Sequence, residues 1–336
     1  MLNEMTDTKE DKGSLDSYTL DELKNTNLPE NLTSTAHPVQ IEEGESEYSK
    51  TIKNLGEVVG ELNSRLGDEK CAFGGSMAMY LLWDNLMRED SRVDIKDRLN
   101  ERIRGGKNDY DLILESGRED IVMQKLGFSD SDMNRRRGFV ANHMVDILSC
   151  SEKRSFPNKK VVVGGQEFYV QNPYDSLLEK LTALAYPQID NSGNERPKEI
   201  KWGVDAKLYK LYLQLSEKIS EDELNEKLAE LWPKYKEETR EVKARDMALE
   251  MDSGKSARDI IANMFKIPFS SNEELISKTH ELYPNVSIDL VVNVIGSVDK
   301  ESFVENIMKV FQIVDKDSDS YLEMYSKAEE NYSAIK

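Results

Sequence analysis

Three short stretches of the chain hold residues whose types and spacing suit chemistry. They are "CAFGGSMAMYLLW" at 71–83, "GGKNDYDLILE" at 105–115 and "HMVDIL" at 143–148. Aspartate is a poor strand former and is almost never buried without a partner, yet two aspartates stand one residue apart in "DYDLIL". Residues i and i+2 of a strand share a face, so Asp109 and Asp111 are expected to project together, with Tyr110 and Leu112 pointing the other way. Two adjacent carboxylates repel, and a divalent cation is the usual partner that holds them. Asp146, set among Val, Ile and Leu, is the third candidate if its strand lies beside the first. Three oxygen ligands of this kind suit Mg²⁺, which keeps waters and binds substrate phosphates. Taken singly, each aspartate has a plainer reading: Asp109 caps a strand start, and Asp146 pairs with a nearby arginine.

The Gly74-Gly75-Ser76 turn sits between an expected short strand and an expected helix. A glycine pair lets backbone approach a ligand closely. A helix N-terminus suits a phosphate, and Ser76 is expected to be its N-cap. An isolated turn of this kind is more often only a tight turn with a serine cap.

The elements that must position these residues follow from periodicity. Residues 1–46 are polar and acidic and are expected to be a disordered tail. Ile52, Leu55, Val58, Val59, Leu62 and Leu66 fall on one helical face. The charged stretch 87–104 is expected to hold a helix and loop inserted before the aspartate strand. A helix over "REDIVMQKLGF", one or two strands over "RGFVANHMVDILSC" and a hairpin turning at Gly164-Gly165 complete a mixed region. From Pro173 the pattern is helical. The expected architecture is therefore α+β: a tail at 1–46, a mixed β-sheet domain with flanking helices at 47–172, and a C-terminal helical domain at 173–336.

The net charge of −19 argues against a general nucleic-acid coat. Between 96 and 160, however, Lys and Arg outnumber Asp and Glu by roughly fourteen to eleven, which suits a polyanionic substrate near the carboxylates. The 2 cysteines and 3 histidines have no metal-ligand spacing. No apolar run approaches the roughly 20 residues of a membrane span, and the first residues lack a signal-peptide core, so a cytoplasmic protein without membrane contact is expected. "DSGKS" at 252–256 lacks the first glycine of a P-loop, and "DKDSDSYLEMYS" at 315–326 lacks the glycine and glutamate of an EF-hand.

In combination, "GGSMAMYLL", "NDYDLIL" and "MVDIL" resemble the nucleotidyltransferase superfamily that includes DNA polymerase β. Its hallmark is a Gly-Ser turn, a later Asp-x-Asp and a third acidic residue on a neighbouring strand. The order of later elements resembles the AbiEii-type nucleotidyltransferases, the toxin halves of toxin–antitoxin pairs. "VVVGGQEFYVQNPYDSLLEKLTAL" is similar to their hairpin and lysine helix, with Lys180 at the lysine position. "RPKEIKWGVDAKLYKLYLQL" is similar to their last element, with Asp205 at the acidic position. The resemblance covers about 66–215. Departures are a longer gap between Ser76 and Asp109, a displaced basic residue before Asp-x-Asp (Arg104, with Lys107 nearer), and Val204 where a lysine is usual.

The resemblance implies a nucleotidyltransferase-type sheet and transfer of NMP from an NTP to an acceptor hydroxyl, such as an RNA end (tRNA). It implies two Mg²⁺ ions, replaceable by Mn²⁺, held by Asp109, Asp111 and Asp146. Gly74, Gly75, Ser76, Lys180 and Asp205 would bind the nucleotide, and a cognate antitoxin would be a partner. The alternatives are a small-molecule nucleotidyltransferase of the antibiotic-modifying kind, and a non-catalytic interaction protein on the same scaffold.

Overall fold

Helix α1 (Glu47–Leu66) forms where apolar residues recur at helical spacing; Leu55, Val58, Val59, Leu62 and Leu66 are buried, and Ser46 caps it by accepting from the Ser49 N–H. The computed structural model describes residues 46–104, 110–115, 117–149, 159–186, 188–189, 195–196, 199–314 and 320–335. The acidic stretch 1–45, Asp109 and Cys150 lie outside the described residues.

After α1 come β1 (Cys71–Phe73), α2 (Gly75–Glu89), α3 (Lys96–Arg104), β2 (Tyr110–Leu114), α4 (Glu119–Lys125) and α5 (Asp130–Arg135). The strands β3 (Arg137–Val140), β4 (His143–Ser149), β5 (Lys159–Val163) and β6 (Gln166–Val170) complete a six-stranded mixed sheet, ordered β3-β4-β2-β1-β6-β5. Its central pairs set the site: β1 runs antiparallel to β2 and parallel to β6, and β2 runs parallel to β4. The β5–β6 hairpin turns at Gly164-Gly165, where Val163 pairs with Gln166 and both glycines take positive φ, as a two-residue primed turn requires.

Alternation gives the sheet two unlike faces. Phe73, Leu112, Leu114, Val145, Ile147, Phe168 and Val170 are buried in the main core, where α1 and α2 pack. The other face carries a small buried apolar pair, Ala72 and Ile113, with Tyr169 packed against it. Beside that cluster stand Asp111 and Asp146, half-buried, and Phe139, Met144 and Leu148, exposed.

The helices that follow are α6 (Pro173–Ala185), a short ribbon of β7 (Gln188–Ile189) and β8 (Glu195–Arg196), α7 (Ile200–Glu217), α8 (Glu221–Leu249), α9 (Ala257–Phe265), α10 (Asn272–Leu282), α11 (Ile288–Ile295), α12 (Lys300–Val314) and α13 (Tyr321–Ile335). The apolar cores do not divide at residue 172, where the pattern turns from strands to helices. Residues of α6, α7, the first half of α8 and α13 share the core of the sheet. A second core holds the end of α8 and α9 to α12. Periodicity reports local structure and not which helices share a core. "DSGKS" is a helix boundary: Gly254 ends a 3₁₀ turn in the left-handed region, and Ser256 caps α9. No helix among the described residues is long and apolar enough to cross a membrane.

The return of α13 depends on a close approach. A Cβ added at Gly203 of α7 would overlap the ring of Tyr332 on α13. Gly203→Ala should therefore destabilise the protein by about 1–3 kcal/mol through overpacking. The expected result is a lower urea midpoint at unchanged slope.

Candidate functional site

Parallel pairing of β2 with β4 aligns Tyr110 with Val145, Asp111 with Asp146 and Leu112 with Ile147. Directly paired residues of neighbouring strands share a face at a strand spacing of about 4.8 Å, so the two aspartates stand side by side. Tyr110 points to the opposite face and stacks on His143 at 5.0 Å between ring centroids. The alternation read from "DYDLIL" and "HMVDIL" is thus observed for Asp111 and Asp146.

The Gly-Gly-Ser turn abuts Asp111. The Gly74 N–H donates to the Asp111 backbone oxygen at 2.8 Å. Gly75 has φ +53, and a Cβ there would lie 2.6 Å from Asp111 Oδ2. A Cβ on Gly74 would press on Ile113 Cδ1 at 3.1 Å. The glycine pair therefore lets the turn lie against the aspartate strand itself. The expected capping role of Ser76 needs correction: Gly74 occupies the N-cap position, and α2 has no side-chain cap bond. Ser76 lies one residue inside the helix, half-buried between the buried Gly75 and Met77.

The Ser76 hydroxyl instead accepts from Arg102 of α3. Arg102 Nη2 donates to Ser76 Oγ at 3.0 Å and to Asp205 Oδ2 at 3.0 Å, and its Nε donates to Asp205 Oδ1 at 2.5 Å. Arg102 and Asp205 are both 1% exposed. Burial opposes the Arg102 charge, but the Asp205 carboxylate outweighs it and holds the guanidinium pKa above its ordinary value. Four residues along α7, on the same helical face, the Tyr209 hydroxyl donates to the Gly75 carbonyl at 2.7 Å. Asp205 is thus brought to the site, turned inward onto Arg102.

Lys180 of α6 lies within electrostatic reach of Asp111 and Asp205, its side chain 12% exposed and its Nζ 3.0 Å from Glu179 Oε1. Burial alone would lower its pKa; the carboxylates of Glu179, Asp205 and Asp111 outweigh burial and raise it. Gln171, also buried, accepts from the Gly75 N–H at 3.4 Å and donates to Glu179 Oε2 at 3.2 Å. Gly74, Gly75, Ser76, Asp111, Asp146, Lys180 and Asp205 are therefore gathered around one end of the central strands. Arg102, Tyr209 and Gln171 escaped the sequence reading. Arg102 had a visible signal: it lies three residues after Leu99 and beside Ile103, both buried, on the apolar face of α3.

The donor set suits a hard cation. Asp111 and Asp146 supply carboxylate oxygens on one face, and the missing Cβ of Gly75 leaves space against Asp111 Oδ2. Asp146 is paired with Arg137 across the β3–β4 ladder through Nε, and through Nη2 at 2.8 Å, which is the plainer reading of that residue. Arg137 is 51% exposed, and exposed pairs contribute only about 0–1 kcal/mol, so releasing Asp146 to a cation is cheap. Among the described residues no group of three His, Cys, Asp or Glu is placed to hold a metal; the expected third ligand, Asp109, lies outside them.

No family model, curated protein or solved structure matches the chain.

The contact between Gly75 and Asp111 yields a direct test. Gly75→Ala combines left-handed strain of about 1–2 kcal/mol with displacement of the Asp111 carboxylate. Gly165→Ala carries positive-φ strain in open space, since no atom of the described residues lies within 4 Å of its Cβ position. Calorimetric titration with Mn²⁺ should show weakened binding in Gly75→Ala and unchanged binding in Gly165→Ala, with both melting lower than the parent.

Proposed function

We propose that this protein is a metal-dependent nucleotidyltransferase that moves NMP from an NTP to an acceptor hydroxyl. The observation that carries the reading is the in-register pairing of Asp111 with Asp146, with the Gly-Gly-Ser turn laid against the first of them. That arrangement agrees with the order of motifs in the superfamily, where a Gly-Ser turn, an Asp-x-Asp strand and a third acidic residue on a neighbouring strand form the site. It also gives two repelling carboxylates a reason to sit together.

In this reading Asp111 and Asp146, with Asp109, hold Mg²⁺. When bound, the cation neutralises triphosphate charge and lowers the pKa of the acceptor hydroxyl. Ser76 donates its hydroxyl proton to a phosphate oxygen, and α2 presents its positive N-terminal end to the same anion. Lys180, kept protonated by its neighbouring carboxylates, supplies fixed positive charge near Asp111. The acceptor oxygen would bond to the α-phosphorus in line as the bond to pyrophosphate breaks, its hydroxyl proton passing to solvent water.

An RNA end as acceptor is favoured by the open strand face beside Asp146. Phe139, 66% exposed and paired across the ladder with the exposed Met144, offers a platform on which a base can stack. The protein would then act as the toxin half of a toxin–antitoxin pair.

Incubation with each labelled NTP, Mg²⁺ and total RNA tests the reading, with an aminoglycoside panel as the small-molecule arm. Label should enter RNA. Asp111→Asn and Asp146→Asn, which remove a ligand charge but little volume, should each lower turnover about a hundredfold or more, since a catalytic metal contributes several kcal/mol. Label in the small-molecule arm alone would move the acceptor class, and turnover unchanged in both variants would remove the metal assignment.

A further inference from the structure

We infer that Arg102 and Asp205 are positioning residues that set the Ser76 hydroxyl as a donor toward the triphosphate; this rests on the nucleotidyltransferase reading. Asp205 does not face the nucleotide, because both its oxygens are taken by the Arg102 fork and it is 1% exposed. Its effect on the site passes through Arg102. A guanidinium can only donate, so the hydrogen bond from Nη2 fixes Ser76 Oγ as its acceptor. The one hydroxyl proton of Ser76 is thereby left to point elsewhere. Ser76 is the half-buried residue in an otherwise buried run from 71 to 80, so the remaining direction is the open side of the turn.

The energetics favour a positional role over a stabilising one. A buried ion pair is weak evidence for stability, because apolar residues of similar volume often serve as well. Here the pair is also incompletely satisfied among the described residues: Arg102 Nη1 is buried and none of them pairs with it. What the fork does that apolar side chains cannot is join three segments at one atom group: α3 through Arg102, α7 through Asp205, and the start of α2 through Ser76. Tyr209, on the same face of α7, holds the preceding carbonyl at Gly75, so the turn is fixed on both sides of its peptide unit.

The test is a double-mutant cycle on the full chain. Arg102→Met with Asp205→Leu replaces the pair by apolar groups of comparable bulk. The expected double variant melts within a few degrees of the parent, binds the non-hydrolysable α,β-methylene analogue of ATP at least about tenfold more weakly by calorimetry, and loses about tenfold or more in kcat/KM. Ser76→Ala should cost about tenfold or more in the parent, the range of a charge-assisted hydrogen bond, and less than about twofold in the double variant. Wild-type affinity and turnover in the double variant, or an equal cost of Ser76→Ala in both backgrounds, would overturn the inference while leaving the transferase reading standing. A parent protein that neither binds the analogue nor turns over any NTP would instead overturn the transferase reading, and this inference with it. If the double variant does not fold, Arg102→Met with Asp205→Asn removes the fixed donor and leaves no unpaired buried charge. Loss of the Ser76→Ala effect in that variant supports the inference, and its retention overturns it.

Discussion

The buried pair of Arg102 with Asp205 is the contact on which the geometry of the site depends. Its two hydrogen bonds join the insert helix α3 to α7, and its third reaches the first turn of α2. Removing one partner would leave an uncompensated buried charge, a loss of about 3–5 kcal/mol. The local consequence is larger than the energy suggests, since the turn held by this pair lies against Asp111. Sheet, insert and helical region meet at one point, and the end of β2 is the place where all three are needed.

This explains why α6, α7 and α13 belong with the sheet. Helix α7 supplies Asp205 and Tyr209 to the turn, α6 supplies Lys180 and, through Glu179, the partner of Gln171, and α13 closes against α7 at Gly203. The second core, from the end of α8 to α12, shares only the long helix α8 with the first. A site assembled from both the sheet and the following helices constrains their relative placement more tightly than apolar packing alone, because each hydrogen bond tolerates only a few tenths of an ångström.

Much of this was legible in the sequence. The alternation of "DYDLIL" and "HMVDIL" places Asp111 and Asp146 on their observed face, and two glycines mark the β5–β6 turn. Adjacency of Asp111 and Asp146 was a condition, because 34 residues and a helical crossover separate them and no local pattern sets a parallel register. The N-cap falls two residues before the expected Ser76, at Gly74, since a preference for serine at N-caps does not know that Gly75 must lie against a carboxylate. Arg102 was hidden for a different reason. In "KDRLNERIR" it is one of four basic residues, and only the buried face shared with Leu99 and Ile103 separates it from the solvated ones. A charged segment reads as surface until its partner, Asp205, is known, and that partner is 103 residues away.

The central claim is that Asp111 and Asp146 form one cation site beneath the Gly-Gly-Ser turn. Anomalous diffraction from crystals grown with Mn²⁺ and a non-hydrolysable NTP tests it most directly. The account predicts Mn²⁺ bonded to oxygens of both carboxylates at about 2.0–2.3 Å, with the triphosphate against Gly75 and Ser76. Manganese bound elsewhere, or Asp146 still closed onto Arg137 with nucleotide present, would contradict it.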